Sequence, residues 1–176
     1  DGKLTAGGDI VLKATEALSL KDNVDADGDV GMKAGEIAID QRTPNAVKVS
    51  GDNVTLKQTA GTLDTGNADI SADSDLTMLA ESVETDGGKL SSGAGMTIGS
   101  VTVTDPDVPV TKSVKLNGTD VSAGNDLTVE ATDYAGISGN RAVLSGGDMT
   151  IYSNGEAVVD APLKAQGDVS VKTENT

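Results

Sequence analysis

Eight times along the chain, a turn ending in Asp, Asn or Gly leads into an apolar–x–apolar triplet. The triplets are Ile10-Val11-Leu12, Val30-Gly31-Met32, Val54-Thr55-Leu56, Leu76-Thr77-Met78, Met96-Thr97-Ile98, Leu127-Thr128-Val129, Met149-Thr150-Ile151 and Val169-Ser170-Val171. Their first residues are separated by 20, 24, 22, 20, 31, 22 and 20 positions. In a strand, alternate side chains share a face, so the outer members of each triplet point one way and the middle residue the other. A repeat near 20 residues that carries only strand and turn signals predicts a solenoid.

One repeat shows how a turn of the solenoid is built. Leu4-Thr5-Ala6 is a short strand. Gly7-Gly8-Asp9 turns the chain, Ile10-Val11-Leu12 is a second strand, Ala14 falls at a bend, and Leu18-Ser19-Leu20 is a third. Lys21-Asp22-Asn23 then turns into Val24, where the pattern restarts. The step from the first strand to the triplet is six residues at Leu4–Ile10, Val24–Val30, Ile70–Leu76, Leu90–Met96, Val121–Leu127 and Leu163–Val169. Insertions are therefore confined to the other corners, near 41–46 and 101–112. Gly and Asp-Gly interrupt the chain too often for a helix. Three unequal strands in fixed order do not match the paired, equal strands of hairpins. The expected fold is all-β: residues 1–176 form one single-stranded, right-handed parallel β-helix of about eight rungs, about 40 Å long at a strand spacing of ~4.8 Å. Ile10, Val30, Val54, Leu76, Met96, Leu127, Met149 and Val169 form one inward stack. Leu12, Met32, Leu56, Met78, Ile98, Val129, Ile151 and Val171 form a second.

Composition sharpens this picture. Hydrophobic residues are 36% of the chain and the only aromatics are Tyr134 and Tyr152, which suits a thin aliphatic core better than a sandwich filled with rings. Net charge is −15, so phosphate backbones and anionic membrane surfaces are poor partners. There is no cysteine, hence no disulfide or thiolate metal site. No apolar run is long enough for a membrane-spanning helix, and no signal peptide is visible. The first residues already lie inside a repeat and the last leave one, so a segment of a longer fibre is expected.

Leu4-Thr-Ala-Gly-Gly-Asp-Ile-Val-Leu-Lys-Ala14, Val121-Ser-Ala-Gly-Asn-Asp-Leu-Thr-Val-Glu-Ala131 and Leu144-Ser-Gly-Gly-Asp-Met-Thr-Ile151 resemble filamentous-haemagglutinin repeats. That family comprises exported exoproteins of two-partner secretion, among them adhesins and contact-dependent inhibition toxins. The resemblance spans almost the whole chain. It implies a stalk segment at the cell surface or in the extracellular space, an outer-membrane transporter as partner during export, adjoining rungs of the same longer chain, and a receptor on a host or neighbouring cell. The family's amino-terminal secretion domain and any toxin or receptor-binding tip are absent from these residues. The alternative is a carbohydrate-active or phage-tail-type β-helix acting on polysaccharide.

Four features are candidates for chemistry. Asp9, Asp29, Asn53, Asp75, Asp126, Asp148 and Asp168 stack at one corner, where adjacent carboxylates ~5 Å apart repel by about 1 kcal/mol in a water-like dielectric. The column could be a calcium ladder or a set of turn caps. The Gly-Gly-x-Gly-x-Asp nonapeptide of calcium-binding rolls is missing, so capping is expected, with no metal or cofactor. Thr55, Thr77, Thr97, Thr128 and Thr150, with Ser170, form an outward column, but flanking charges such as Lys57, Glu130 and Lys172 spoil it as an ice-binding face. Cross-strand packing on an exposed sheet accounts for it. A catalytic site is not expected: the chain has no His or Trp, and its only arginines are Arg42 and Arg141. The insertion Val101–Lys112, stiffened by two prolines, is the best place for specific recognition. Asp105, Asp107 and Lys112 are its candidate residues. Finally, the inward apolar residues of the first and last rungs have no cap, so the ends are expected to govern partner contacts.

Overall fold

Short strands with one apolar face cannot satisfy their own amides, so each must find its hydrogen-bond partners in a neighbouring strand. Here the neighbour is always the equivalent strand one turn away. The computed structural model describes residues 3–41, 46–102 and 105–174. Among them there is no helix, and the chain forms a parallel β-solenoid of about eight turns.

Three sides make up each turn. The first is an eight-stranded parallel sheet of β1 (Leu4–Ala6), β4 (Val24–Ala26), β7 (Lys48–Gly51), β10 (Asp69–Ala72), β13 (Lys89–Ser92), β16 (Asp120–Ala123), β19 (Val143–Ser145) and β22 (Leu163–Ala165). The second holds the triplets: β2 (Ile10–Lys13), β5 (Val30–Ala34), β8 (Val54–Gln58), β11 (Leu76–Leu79), β14 (Met96–Ile98), β17 (Leu127–Ala131), β20 (Met149–Ser153) and β23 (Val169–Thr173). The third side is in two pieces. β3 (Ala17–Leu20) pairs with β6 (Glu36–Ile39), and β9 (Thr62–Asp64), β12 (Ser82–Asp86), β15 (Ser113–Asn117), β18 (Tyr134–Ser138) and β21 (Glu156–Asp160) form a five-stranded sheet.

The register is in phase along the rod. Ile10 sits beside Val30, Val54 beside Leu76, and Met96 beside Leu127, so both expected stacks exist and face the core. Val54, Leu56, Leu76, Met78, Leu127 and Val129 are fully buried. Each such side chain contributes about 1.5–3 kcal/mol by leaving water. Where the third side breaks between β6 and β9, buried Gln58 bridges the gap. Its Oε1 accepts the Ile37 amide at 2.9 Å and its Nε2 donates to the Ala60 carbonyl at 2.7 Å. The expected insertion near 41–46 lies here; its residues 42–45, Arg42 included, fall outside the described residues.

Three details are fixed by the partner strands. In the seventh rung Val143, not Leu144, is the inward residue: it pairs with Val121 and Leu163 and is buried, while Leu144 is exposed. This restores the six-residue step to Met149. In β21, Val158 faces solvent and Val159 packs on the core, because Val159 is the residue in register with Ile137. Both positions are paired apolar residues, which period-two alternation cannot phase. In the third rung the step from Val49 to Val54 is five residues, so that turn is one residue shorter than the others.

Close stacking of turns sets glycine positions. A Cβ on Gly124 would lie 2.0 Å from the Gly93 carbonyl oxygen, and one on Gly146 would lie 1.9 Å from that of Gly124. The obstacle is backbone, which cannot swing aside. Gly124→Ala should destabilise the protein by about 1–3 kcal/mol, the usual cost of forcing a methyl into packed surroundings, measured by urea unfolding. Gly8→Ala, where no atom comes within 4 Å of the added Cβ, should leave the midpoint unchanged.

Candidate functional site

The acidic corner is a ladder of hydrogen bonds between turns. The Asp9 carboxylate accepts the Asp29 amide at 2.9 Å, Asp29 accepts Asn53 at 3.1 Å, Asn53 Oδ1 accepts Asp75 at 3.1 Å, and Asp75 accepts Gly95 at 2.8 Å. After Gly95, which has no side chain to offer, the ladder resumes: Asp126 accepts Asp148 and Asp148 accepts Asp168, both at 2.9 Å. The expected capping role holds in kind, but the cap serves the next turn of the solenoid rather than its own loop. The pattern also explains the recurrent Gly-Asp pair. At Gly28, Gly147 and Gly167 a Cβ would lie 2.1–2.3 Å from the carboxylate reaching over from the rung before. Among the described residues, no group of three or more acidic side chains converges as a metal site would.

The 31-residue step holds the insertion. Gly99, at φ +74°, ends the second-side strand, and a Cβ there would sit 2.2 Å from the Glu130 carbonyl oxygen, so only glycine fits this exit. The excursion is closed at its neck. Thr111 donates its amide to the Ser100 carbonyl at 2.8 Å, the Ser100 amide donates to Thr111 Oγ1 at 3.0 Å, and that hydroxyl donates to the Ala80 carbonyl at 2.8 Å. Thr111 is fully buried. Ends held this close make a compact Ω-type loop. Its residues 103 and 104 lie outside the described set.

The loop folds back toward the amino-terminal rungs. Asp105 and Asp107 both bind Lys33 of β5, at 3.1 and 2.9 Å, and Asp105 also reaches Lys57 of β8 at 3.4 Å. These contacts span 48 to 74 residues of sequence. At ~4.8 Å per rung, the segment crosses about 14 Å of the second sheet's outer face. It partly covers the threonine column: Thr77 and Thr97 share a cleft of about 140 Å³ with Lys57, Ser100, Thr102 and Asp105. That column is therefore not the open face expected from sequence. A wider cleft of about 500 Å³ lies on the amino-terminal side, lined by Lys13, Ala14, Thr15, Lys33, Thr59 and Asp107. Of the three candidate recognition residues, Asp105 and Asp107 converge on one lysine. Lys112 does not join them; it pairs with Glu81 across the third side.

Electrostatics follow this geometry. The bond to Lys33, then the Asp107 amide, hold the Asp105 carboxyl below the usual aspartate range, against a smaller opposing effect of burial. Asp107, then Asp105, push the Lys33 ammonium up. The third side repeats the motif: Glu84 raises Lys115, Glu81 raises Lys112, and Lys112 lowers Glu81. The amino-terminal end holds another such pair, where bonds from Lys3 and Ser50 lower Asp25.

Sequence reasoning found the loop but missed its anchors. The signal was present: Lys13, Lys33 and Lys57 follow consecutive triplets and stand in register, before Leu79 replaces them in the next rung. Three stacked ammonium groups on a strongly acidic chain call for carboxylates. No protein-family model, curated protein sequence or solved structure matches this chain.

Two outcomes are expected from this geometry. Gly95→Asn should restore the missing ladder contact by offering an oxygen to the Asp126 amide and raise the unfolding midpoint slightly, whereas Asp126→Ala should cost about 0.5–1.5 kcal/mol by removing one. Asp105→Asn/Asp107→Asn should leave the melting transition nearly unchanged, since ion pairs at a solvent-screened surface contribute little, yet reduce amide protection at position 107 and at Val108. The lowered Asp105 means that anchoring is complete above the ordinary aspartate range and is lost as pH falls through its depressed value. The raised Lys33 means that it is lost at the alkaline end only above the ordinary lysine range. Protection of the loop amides, taken as the exchange rate relative to that of an unstructured amide at the same pH, should therefore be constant across neutral pH and be lost in acid.

Proposed function

We propose that the chain is a non-enzymatic stalk segment of an exported, adhesin-like fibre of the filamentous-haemagglutinin repeat kind. The observation that carries this reading is the uninterrupted in-phase ladder of eight strands along each of two sides, with its turn carboxylates committed to joining one rung to the next. Such a body supplies length and stiffness. Every rung adds ~4.8 Å, and each is held by the rung beside it, so the segment sets a distance between a cell surface and whatever the fibre displays. Export through an outer-membrane transporter suits the composition: with no cysteine, the chain can travel unfolded without forming disulfides. Folding after transit then proceeds rung upon rung, as in other solenoids.

On this reading, the salt-bridged loop 99–112 is the long excursion from the rod among the described residues and the place where it touches a surface. Asp105, Asp107 and Lys112 belong to that contact, with Asp107 the most open of the three.

Surface proteolysis of intact source cells, probed with an antibody to this segment, tests the assignment. Loss of the segment from intact cells, and its retention inside cells when the cognate transporter is deleted, is the expected result. A segment found only in the cytosol, or release of oligosaccharide from polysaccharide by the purified chain, would favour the polysaccharide-acting alternative.

A further inference from the structure

The outer face of the second sheet carries a row of lysines. Leu12 and Met32 turn into the core, so Lys13 and Lys33, the residues after them, project outward, side by side in register. A rung stacked ahead of β2 would lengthen this face without covering it, because rungs add along the rod and not over its sides. The two ammonium groups are not equivalent. Lys33 is held by Asp105 and Asp107, at 3.1 and 2.9 Å. Lys13 is exposed and has no ion pair or hydrogen bond among the described residues.

Between Lys13 and the returning loop lies the open cleft of about 500 Å³, a size common for small-ligand sites. Its lining includes the hydroxyls of Thr15 and Thr59, which make no bond among the described residues, and the carboxylate of Asp107. Asp107 gives Oδ2 to Lys33, while its Oδ1 makes no bond there and its side chain is 71% exposed. One unpaired cation therefore stands beside a free carboxylate oxygen and two free hydroxyls.

We infer that this cleft binds a carboxylated sugar of the hexuronate class. Lys13 donates a charge-assisted hydrogen bond to the sugar carboxylate. Asp107 Oδ1 accepts from a ring hydroxyl, and Thr15 and Thr59 bond to others. The loop already displays the first of these contacts: Asp105 and Asp107 are carboxylates seated on the same lysine row, and Lys13 is the position they leave open. The lining also selects among anions. An acidic peptide would set further carboxylates against Asp107. A densely sulfated chain would meet the full repulsion of a protein with net charge −15. A uronate spreads one charge over a whole ring and brings hydroxyls for Asp107 and the threonines. The inference rests on the proposed function only in taking the loop as the point of contact. Location and export are tested on cells, so either can fail alone.

Titration of the isotope-labelled chain with tetragalacturonate, followed by amide shifts, tests the site. Saturable shifts are expected at Thr15, Lys33 and Thr59. The methyl-esterified tetramer keeps the hydroxyls and loses the charge; tetra-aspartate keeps the charge and loses the hydroxyls. Each should bind at least about tenfold more weakly, the loss expected for one charged or several neutral hydrogen bonds. Lys13→Gln should weaken tetragalacturonate binding by as much. Lys172→Gln, the same charge change in the last strand of the same sheet, should leave it unchanged. Both side chains are exposed, so the core is untouched by either substitution. No saturable shift at millimolar ligand, shifts centred elsewhere on the rod, or an ester that binds as well as the acid would each overturn the proposal. So would a Lys13→Gln variant that binds like wild type, or a Lys172→Gln variant weakened equally. Tetra-aspartate binding as tightly as the sugar would overturn it too, and would assign the face to an acidic protein partner.

Discussion

Everything in this rod depends on the in-phase parallel pairing of one turn with the next. A strand of three to five residues gains few contacts within its own turn, and its amides point along the rod axis. They are satisfied only by the turns above and below, as when the Val30 amide donates to the Asn53 carbonyl at 2.8 Å and the Val54 amide to Asp75 at 3.0 Å. Once that pairing is imposed, identical side-chain positions must stack. Stacking a column of Val, Leu, Ile and Met makes a dry core. Stacking acidic groups would be costly by itself, and the structure turns it to advantage by giving each carboxylate the next rung's amide.

The same constraint explains where variation is allowed. The corner between the first and second sides carries the carboxylate ladder, and its step is six residues in every rung except the third. The other corners carry no continuous ladder among the described residues, only a single bond of this kind from the Lys48 amide to Asn23 Oδ1 at 2.9 Å, and the chain inserts residues there. The large insertion leaves through Gly99, whose left-handed backbone and contact with Glu130 admit no side chain. It is then tied down twice, at its neck by Ser100 and Thr111 and at its tip by two lysines from rungs far earlier in sequence. An excursion held in this way leaves the ladder beneath it undisturbed.

The fold was legible in the sequence because its signals are periodic. Triplets alternating at period two, with a turn at fixed distance ahead of each, place most of the inward residues without any knowledge of contacts. Legibility failed where periodicity is degenerate. Val143-Leu144 and Val158-Val159 offer two adjacent apolar residues, and only the partner strand decides which one turns inward. It failed also for contacts that obey no period. Asp105 and Asp107 were recognisable as charges in an unusual loop, but their partners, Lys33 and Lys57, are reached only when the loop folds back along the rod. Gln58 is a further case: a polar residue whose burial follows from a gap in the third side, not from its neighbours in sequence.

The most direct test of in-phase parallel stacking is the pattern of short proton–proton distances around Thr77 in the isotope-labelled protein. Strand pairing as described puts Thr77 beside both Thr55 and Thr97, so cross-peaks of the parallel type to both residues are expected. Cross-peaks linking Thr77 instead to the strand next to it in sequence, Asp69–Ala72, in an antiparallel pattern would contradict the account.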